Sequence, residues 1–132
     1  MRFMILAIVD TSAFLLFFEK LFDVIEHLSE DLDEKVICTT TDSVIRELHR
    51  HLTEKGRADL AAKYIEKIYE ECHIYTLSED YEKEEADPDI IRLASAIEGY
   101  ILTLDKDLKR EAKKHGIKLV VYRDGKRKLE TE

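Results

Sequence analysis

The chain begins with a continuous apolar run, Phe3–Val9, that ends at an aspartate, Asp10. A run of Ile, Leu and Val without polar alternation is typical of a strand that is buried on both faces, as in a parallel sheet. Only Arg2 provides a positive charge before the run, and no small-residue cleavage site follows it, so the pattern is not that of a signal peptide. The stretch is also shorter than the ~20 residues that cross a bilayer. It therefore predicts a core strand followed by a turn.

Strand and helix patterns alternate along the rest of the chain. This alternation predicts an α/β domain with a central, mostly parallel sheet of about five strands and helices on both faces. Ligands bind such sheets beyond the carboxyl ends of the strands. The further strands are expected at Val36–Thr39, Cys72–Leu77, Tyr100–Leu104 and Ile117–Tyr122. The region Thr11–Leu28 is expected to form two helices, or one helix with a bend near Glu19–Lys20. The other helices are expected from Thr41 or Asp42 to Lys55, and at Arg57–Glu71, Asp87–Glu98 and Asp105–His115.

The length of 132 residues, 45% of them hydrophobic, fits one domain, which we assign to residues 1–123. Residues 124–132 are almost entirely polar, and we predict a frayed C-terminal tail there. The acidic segment Ser78–Glu85 is expected to be a loop or a helical turn. The two cysteines, Cys38 and Cys72, are too few for a disulfide-dense secreted scaffold. We expect both to be reduced core thiols, as is usual in the cytoplasm.

Four acidic residues from distant parts of the chain are predicted to reach one edge of the sheet. Asp10 ends the first strand, Asp105 ends the strand Tyr100–Leu104, Asp87 begins the preceding helix, and Glu47 lies at the margin of an apolar helix stripe. Carboxylates that converge repel one another unless a cation neutralises them. Mg²⁺ and Mn²⁺ prefer carboxylate and water oxygens, whereas zinc favours His and Cys. The sequence therefore predicts a magnesium or manganese site suited to a phosphodiester substrate.

Each of these acids also has a purely structural interpretation. Asp87 and Asp105 stand where helix N-caps are expected, and Asp is a preferred N-cap residue. Asp10 fits the same role, and Glu47 alone is typical of a helix flank. Only their joint arrangement indicates a site.

Other chemistries receive little support from the sequence. The five histidines show no metal-ligand spacing, and we interpret them as structural or surface residues. The four glycines are scattered, so no phosphate-binding loop is present, which argues against nucleotide-dependent kinases and dehydrogenases.

The charge is unevenly distributed. The whole chain carries −8, yet residues 105–128 contain ten Lys and Arg against four Asp and Glu. This strip, which includes Lys106, Lys109 and Arg110, is compatible with local binding of a nucleic-acid backbone. The alternative is the solvated face of a helix, and the sequence leaves both open.

Several short segments, taken in order, resemble the PIN-domain ribonucleases. The resemblance covers nearly the whole chain, and four motifs at suitable spacing are more specific than any one of them. The matching segments are Val9-Asp10-Thr11-Ser12, Val44-Ile45-Arg46-Glu47-Leu48, Asp87-Pro88-Asp89-Ile90-Ile91-Arg92-Leu93-Ala94, Thr103-Leu104-Asp105-Lys106-Asp107-Leu108 and the closing stretch from Gly116 to Arg123.

The resemblance implies a three-layer α/β/α sandwich and a magnesium- or manganese-dependent endonuclease acting on RNA. It also implies a catalytic set of Asp10, Glu47, Asp87 and Asp105, with the three aspartates as metal ligands. The residues that match supporting positions of the family, or that lie beside its acids, are Thr11, Ser12, Asp89, Thr103 and Asp107. Asp107 could replace or assist Asp105, so the choice between these two as the main ligand stays open. Asp87 fits the helix pattern better than Asp89, because it stands seven residues before Ala94, but Pro88 between them is a departure that leaves the choice open.

The resemblance leaves the biological role open between a toxin silenced by an antitoxin protein and an RNA-processing nuclease. RNA is the implied substrate and a membrane is not an expected partner. Dimers occur in the family, and the aromatic stretch Phe14–Phe22 offers either a dimer surface or core packing. Two alternatives to a nuclease are a catalytically silent PIN-like binding module and another acid-rich phosphotransfer domain, such as a Toprim-like or phosphatase-like fold.

Overall fold

A computed structural model describes residues 4–76 and 86–132 of the chain. The predicted acidic loop at 78–85, and the end of the predicted strand Cys72–Leu77, lie outside the described residues. The elements follow the predicted alternation, with boundaries that shift by a few residues. In chain order they are β1 (Met4–Val9), α1 (Thr11–Phe14), α2 (Leu16–Lys20), α3 (Val24–Asp31), β2 (Lys35–Thr41), α4 (Asp42–Glu54), α5 (Ala58–Glu71), β3 (His73–Tyr75), α6 (Ala86–Ile97), β4 (Tyr100–Leu102), α7 (Lys106–Lys114), β5 (Leu119–Arg123), a 3₁₀ turn (Asp124–Lys126) and β6 (Lys128–Thr131).

The described strands form one sheet in the order β3-β2-β1-β4-β5-β6. The first five pair in parallel, and β6 pairs antiparallel with β5. The mostly parallel α/β fold is confirmed, with six strands rather than about five. Because β1 and β4 are neighbours at the centre, the residues after Val9 and after Leu102 meet at the same carboxyl edge.

The prediction of a frayed tail at 124–132 is wrong. Tyr122 pairs with Leu129 across β5 and β6, and the Leu129 side chain is fully buried. The Leu129 amide also donates a 2.9 Å hydrogen bond to Asp31 Oδ2 on α3. One buried leucine and a hydrogen-bonded ladder order the segment, and a single apolar residue in a four-residue strand gives too weak an alternation to detect.

The expectation that Cys38 and Cys72 are reduced thiols is also wrong, because they form a disulfide. The parallel register places Thr39 opposite His73, so the preceding residues, the two cysteines, face each other with Cα atoms 4.6 Å apart. That proximity depends on strand register, which composition does not reveal. The cysteines therefore no longer argue for a reducing compartment.

The first helical region, predicted as two helices or one bent helix, is divided into three by a break at Leu15 and a second break between Lys20 and Val24. Leu21 adopts a left-handed conformation (φ 53°) after α2, and Asp23 starts α3 by accepting a 3.0 Å hydrogen bond from the Ile25 amide. Of the aromatic stretch, Phe14 and Phe22 are fully buried. Phe17 stacks on Tyr64 of α5 with ring centroids 4.6 Å apart. The stretch therefore serves largely as internal packing.

The helix that carries Glu47 starts as predicted. Thr41 is its N-cap and accepts a hydrogen bond from the Val44 amide at 3.2 Å. Its core side includes Leu48 and Leu52, both essentially buried. Within the described parts of the chain, no helix has both the length and the apolar composition needed to cross a membrane.

Candidate active site

Asp10 is a buried carboxylate at the end of β1, with 4% of its surface exposed. Its Oδ2 accepts hydrogen bonds from Thr103 Oγ1 at 2.7 Å and from Ser12 Oγ at 3.1 Å. The Leu104 amide donates to Ser12 Oγ at 3.0 Å, which fixes the serine in turn. Burial raises the Asp10 pKa, the hydrogen bonds oppose this rise, and Asp105 adds to it. Asp10 is thus a buried acid whose orientation is set by donors on two segments.

Asp105 occupies the same edge one strand away, after β4. It is the N-cap of α7, where its Oδ1 accepts from the amides of Asp107 at 2.8 Å and Leu108 at 3.3 Å. Its own amide donates to Thr103 Oγ1 at 3.1 Å. The capping role is therefore real, and it does not exclude a second role, because a carboxylate has two oxygens.

Asp87 lies in the first turn of α6, which begins at Ala86, so Asp87 is inside the helix rather than its N-cap. Partial burial and then Asp10, Asp105, Glu47 and Asp107, in that order, raise its pKa from 3.8 to about 6. Burial is the largest cause, and the charge contributions of the four other acids indicate that they lie within electrostatic range of Asp87. The structure therefore brings the four predicted acids to one place.

Glu47 approaches the cluster from α4. Burial raises its pKa, Asp10 raises it further, and Arg50 and His51 lower it. The Thr11 hydroxyl lies close enough to Glu47 to lower its pKa. Thr11 Oγ1 is nevertheless buried without a well-formed hydrogen bond to any described residue. A buried hydroxyl beside a half-buried carboxylate is a polar pair that a further ligand would complete.

The Asp89 carboxylate has its own partners among the described residues, unlike that of its neighbour Asp87. Its carboxylate is 1% exposed, accepts from Ser43 Oγ at 2.8 Å and forms an ion pair with Arg92. Ser43 also shares a 2.8 Å hydrogen bond with Thr41. Two residues apart on a helix, the two aspartates face different sides. Asp89 therefore joins α6 to the start of α4, and Asp87 is the one beside Asp10.

The predicted RNA-binding strip is more nearly neutral than the sequence suggests. Arg110 pairs with Asp107 at 2.9 Å, while Lys106 and Lys109 form no ion pair with a described residue. Further along, acids of α7 and of the last residues neutralise the cations. These pairs are Lys113–Glu132, Lys114–Glu111, Arg123–Glu130 and Lys126–Glu130.

One group that sequence analysis missed lies on α3. Among the described residues, His27, Glu30 and Asp31 form the sole set of three potential metal ligands whose ligand atoms all lie within 4.8 Å of one another. Their spacing of three and four residues was the available signal. His27 Nδ1 already bonds Asp31 at 2.9 Å, and its ring stacks on Phe22 with centroids 3.9 Å apart. The stacking on Phe22 packs α3 against the core, and Asp31 also accepts a hydrogen bond from the Leu129 amide of β6.

The carboxylate oxygens around Asp10 lie farther apart than the ligand atoms on α3, since no three of these acids meet the same 4.8 Å limit. Their chemistry nevertheless fits a hard divalent cation, since Asp10, Asp87, Asp105 and Glu47 offer only carboxylate oxygens. Burial first, and then neighbouring carboxylates, raise the pKa values of Asp10, Glu47 and Asp87, so ionised forms of these acids would gain from a nearby cation. The orphaned Thr11 hydroxyl lies beside them.

The mostly parallel sheet and the acids at its carboxyl edge place the chain in the class of acid-rich α/β domains. The chain belongs to the family of PIN-like domains, whose sequence model matches residues 7–125. This excludes the Toprim-like and phosphatase-like alternatives. A curated relative, ribonuclease VapC9 of Archaeoglobus fulgidus, is 30% identical over 122 residues, which cover 92% of this chain and 85% of that protein.

Solved structures show the same fold. The PIN domain endonuclease Utp24 aligns with a TM-score of 0.70 and 24% identity, covering 96% of this chain and 90% of that one. A domain of a functionally unknown protein from Methanocaldococcus jannaschii aligns with a TM-score of 0.57 and 19% identity, over 89% of this chain and 91% of that one. A PilT N-terminus domain protein from Sulfolobus solfataricus aligns with a TM-score of 0.53 and 14% identity, over 89% of this chain and 87% of that one.

Proposed function

We propose that this chain is a divalent-metal-dependent endoribonuclease that hydrolyses phosphodiester bonds of RNA. The observation that carries the proposal is the convergence of Asp10, Glu47, Asp87 and Asp105, from four separate segments, on one edge of the sheet. Structural helix caps have no need to share one electrostatic environment. The similarity to ribonuclease VapC9 supports RNA as the substrate.

In this proposal Asp10, Asp87 and Asp105 hold Mg²⁺ or Mn²⁺. When bound, the ion neutralises these carboxylates, activates a water and stabilises the charge that develops on the phosphoryl group. Glu47, half-buried at the margin, completes the site as a ligand or orients the attacking water through its carboxylate. Thr103 and Ser12 hold Asp10 in position by donating to its Oδ2.

The remaining predicted residues receive supporting roles. Asp89 positions Asp87 by fixing α6 against α4 through Ser43. Asp107 adds negative charge beside Asp87, and Thr11 supplies a hydroxyl beside Glu47. Lys106, Lys109 and Arg110 are proposed to contact the RNA backbone next to Asp105, with Arg110 leaving its pair with Asp107 to do so.

The biological setting is part of the same proposal. A toxin restrained by an antitoxin protein and an RNA-processing nuclease both fit the site, and a homodimer is compatible with either. An RNA substrate favours a cytoplasmic location. Co-purification of a second chain that suppresses cleavage would distinguish the toxin from the processing enzyme.

The test is cleavage of short labelled single-stranded RNA by purified protein with Mn²⁺ or Mg²⁺, against EDTA. We expect metal-dependent cleavage that Asp10→Asn abolishes and that Asp59→Asn, a matched change on the exposed first turn of α5, leaves intact. Persistence of cleavage in Asp10→Asn contradicts the assignment. Absence of both cleavage and metal binding in the wild type favours the silent PIN-like module instead.

A further inference from the structure

A groove of about 490 Å³ runs beside α4 and starts one helical turn beyond Glu47. One wall comes from the α1–α2 segment and the other from the C-terminal half of α4 with the residue that precedes α5. The side chains used below are Leu15, Phe18, Glu19, His51, Lys55 and Arg57.

The groove continues directly from the acid cluster. Glu47 and His51 are four residues apart and lie along one face of α4, and Lys55 follows four residues later as the C-cap of the helix. Each step of four residues rises about 6 Å, which puts Lys55 about 12 Å from Glu47 along the helix. On the facing wall, Thr11 lies beside Glu47 and Leu15 follows four residues later. The groove therefore begins one helical turn from Glu47, within reach of a strand that occupies the site.

The charge of the groove suits a polyanion. His51, Lys55 and Arg57 face a single acid, Glu19. Arg50 and His51 are close enough to the cluster to lower the pKa of Glu47. A phosphate backbone that must approach four carboxylates gains most from cations at the entrance of the site.

The groove on the other side of the cluster has the opposite character. This cavity of about 520 Å³ between α6 and α7 is lined by three acids, Asp87, Asp107 and Glu111, against Arg92 and His115. Arg92 is already paired with the buried Asp89. The acids Asp107 and Glu111 of this cavity are partly offset by Arg110 and Lys114. The lining of the α4 groove is nevertheless the more basic of the two.

The α4 groove also offers an apolar surface on which bases can stack. Phe18 is half-buried and is held edge-on by Phe17 and Tyr64, with centroids 5.2 and 5.3 Å away. Arg57 Nη1 donates to the Phe18 carbonyl at 3.3 Å, so a cation and an aromatic ring stand side by side. A cationic track beside an aromatic platform is the usual means of binding single strands without sequence preference.

We propose that the groove formed by Leu15, Phe18, His51, Lys55 and Arg57 binds the single-stranded RNA that flanks the scissile phosphate. The backbone lies on His51, Lys55 and Arg57, and a base lies against Phe18 and Leu15. This inference rests on the proposed function, because it names the path of that enzyme's substrate. It adds a binding surface on α4 to the residues proposed on α7.

The experiment measures binding of a fluorescein-labelled, single-stranded 12-nucleotide RNA by fluorescence anisotropy in EDTA, so that cleavage plays no part. We expect His51→Gln with Lys55→Glu to raise the Kd at least tenfold. The slope of log Kd against log salt should fall by about 0.7 for each phosphate that the groove no longer neutralises. The matched control is Lys35→Glu, an exposed residue at the start of β2 on the opposite edge of the sheet. We expect less than a twofold change for it.

A second variant separates stacking from charge, because Arg57 and Phe18 also support the fold. Phe18→Leu keeps the apolar volume and removes the ring, and it should raise the Kd severalfold with no change in salt slope. Melting temperatures of all variants must stay near that of the wild type. The proposed RNA-binding role of the groove is contradicted by any of three results. These are equal weakening of binding by Lys35→Glu, no effect of the α4 changes, and no RNA binding by the wild type. If the protein binds RNA through the groove but never cleaves it, the proposed nuclease function is refuted and the proposed RNA-binding role of the groove is retained.

Discussion

The hydroxyl of Thr103 donates a 2.7 Å hydrogen bond to Oδ2 of Asp10, although the two residues are 93 positions apart in the chain. The central pairing of β1 with β4 brings them together, and the Asp10 amide also donates to the Leu102 carbonyl at 3.0 Å. Thr103 itself is fully buried. Because β1 pairs with β4, Thr103 is placed where its hydroxyl fixes the orientation of the Asp10 carboxylate.

Replacement of Thr103 by valine should reduce metal-dependent cleavage about 10- to 100-fold, the usual effect of losing a group that orients a ligand. Valine keeps the shape but removes the donor, so Asp10 loses its shortest hydrogen bond. Thr103→Ser retains the hydroxyl and should recover most of the activity. Cleavage rates at several Mn²⁺ concentrations provide the measurement. Equal rates for the valine and serine proteins would show that the hydroxyl does not position Asp10.

The Asp87→Asn change should stabilise the metal-free protein at neutral pH. Burial and the neighbouring acids raise the folded-state pKa of Asp87 to about 6, above the value of 3.8 for an unperturbed Asp. The protonated Asp87 carboxyl therefore makes its full contribution to the free energy of unfolding below about pH 4, and this contribution is lost as the pH rises through 6. Asp87 stays largely accessible to solvent despite this partial burial, and solvent screens its charge, so we expect a gain of only about 1 kcal/mol at pH 7.5 and almost none at pH 4.

Urea unfolding in EDTA at the two pH values measures this effect. Asp59→Asn is the matched control, because Asp59 is exposed on α5. A gain that is equal at pH 4 and pH 7.5 would mean that the like charges around Asp87 are not its cause.

Manganese should raise the melting temperature of the wild-type protein. An ion that binds only the folded chain stabilises it by about 2.7 kcal/mol at 100 times its Kd. We expect most of this shift to disappear in Asp10→Asn and in Asp87→Asn, since both remove proposed ligands. Substitution of His27 by Gln on α3 should leave the shift unchanged. If the His27 variant loses the shift and the Asp10 variant keeps it, the ion binds the α3 group rather than the sheet edge.

The main features of the fold and the location of the acids could be predicted because both depend on short local patterns. A buried run that ends in Asp10, and a short strand that ends near Asp105, place their acids at the carboxyl edge whatever the exact boundaries. The assignment of Asp87 rather than Asp89 to this edge needed the helix phase, which shows Asp89 turned toward Ser43. The catalytic roles stay a prediction.

The less successful predictions share one physical origin, which is long-range register. Because β6 was not anticipated, neither was the position of Glu130 and Glu132, which pair with the cations of the basic strip. The disulfide likewise depends on the alignment of β2 with β3. No local pattern encodes either contact, since each joins segments whose distance is set only by the finished sheet.

Reduction of the Cys38–Cys72 bridge should destabilise the protein without abolishing the fold. The two cysteines are 34 residues apart, and a loop of this length corresponds to about 3–4 kcal/mol of lost unfolded-state entropy. We expect a lower urea midpoint in dithiothreitol and a similar one for the double Cys38→Ala, Cys72→Ala protein with or without the reductant. A wild-type midpoint that dithiothreitol leaves unchanged, with free thiols confirmed by alkylation, would contradict a stabilising bridge.

Leu129→Ala tests whether the last strand belongs to the folded domain. Leu129 is fully buried between the sheet and α3, and its amide bonds Asp31. Truncation of a buried leucine removes apolar packing and leaves a cavity, so we expect a loss of about 2–4 kcal/mol in urea unfolding. Thr131→Ala, at an exposed position of the same strand, should change stability by less than about 0.5 kcal/mol. Equal, negligible effects of both changes would mean that residues 128–131 contribute nothing to the domain, as expected of a frayed tail.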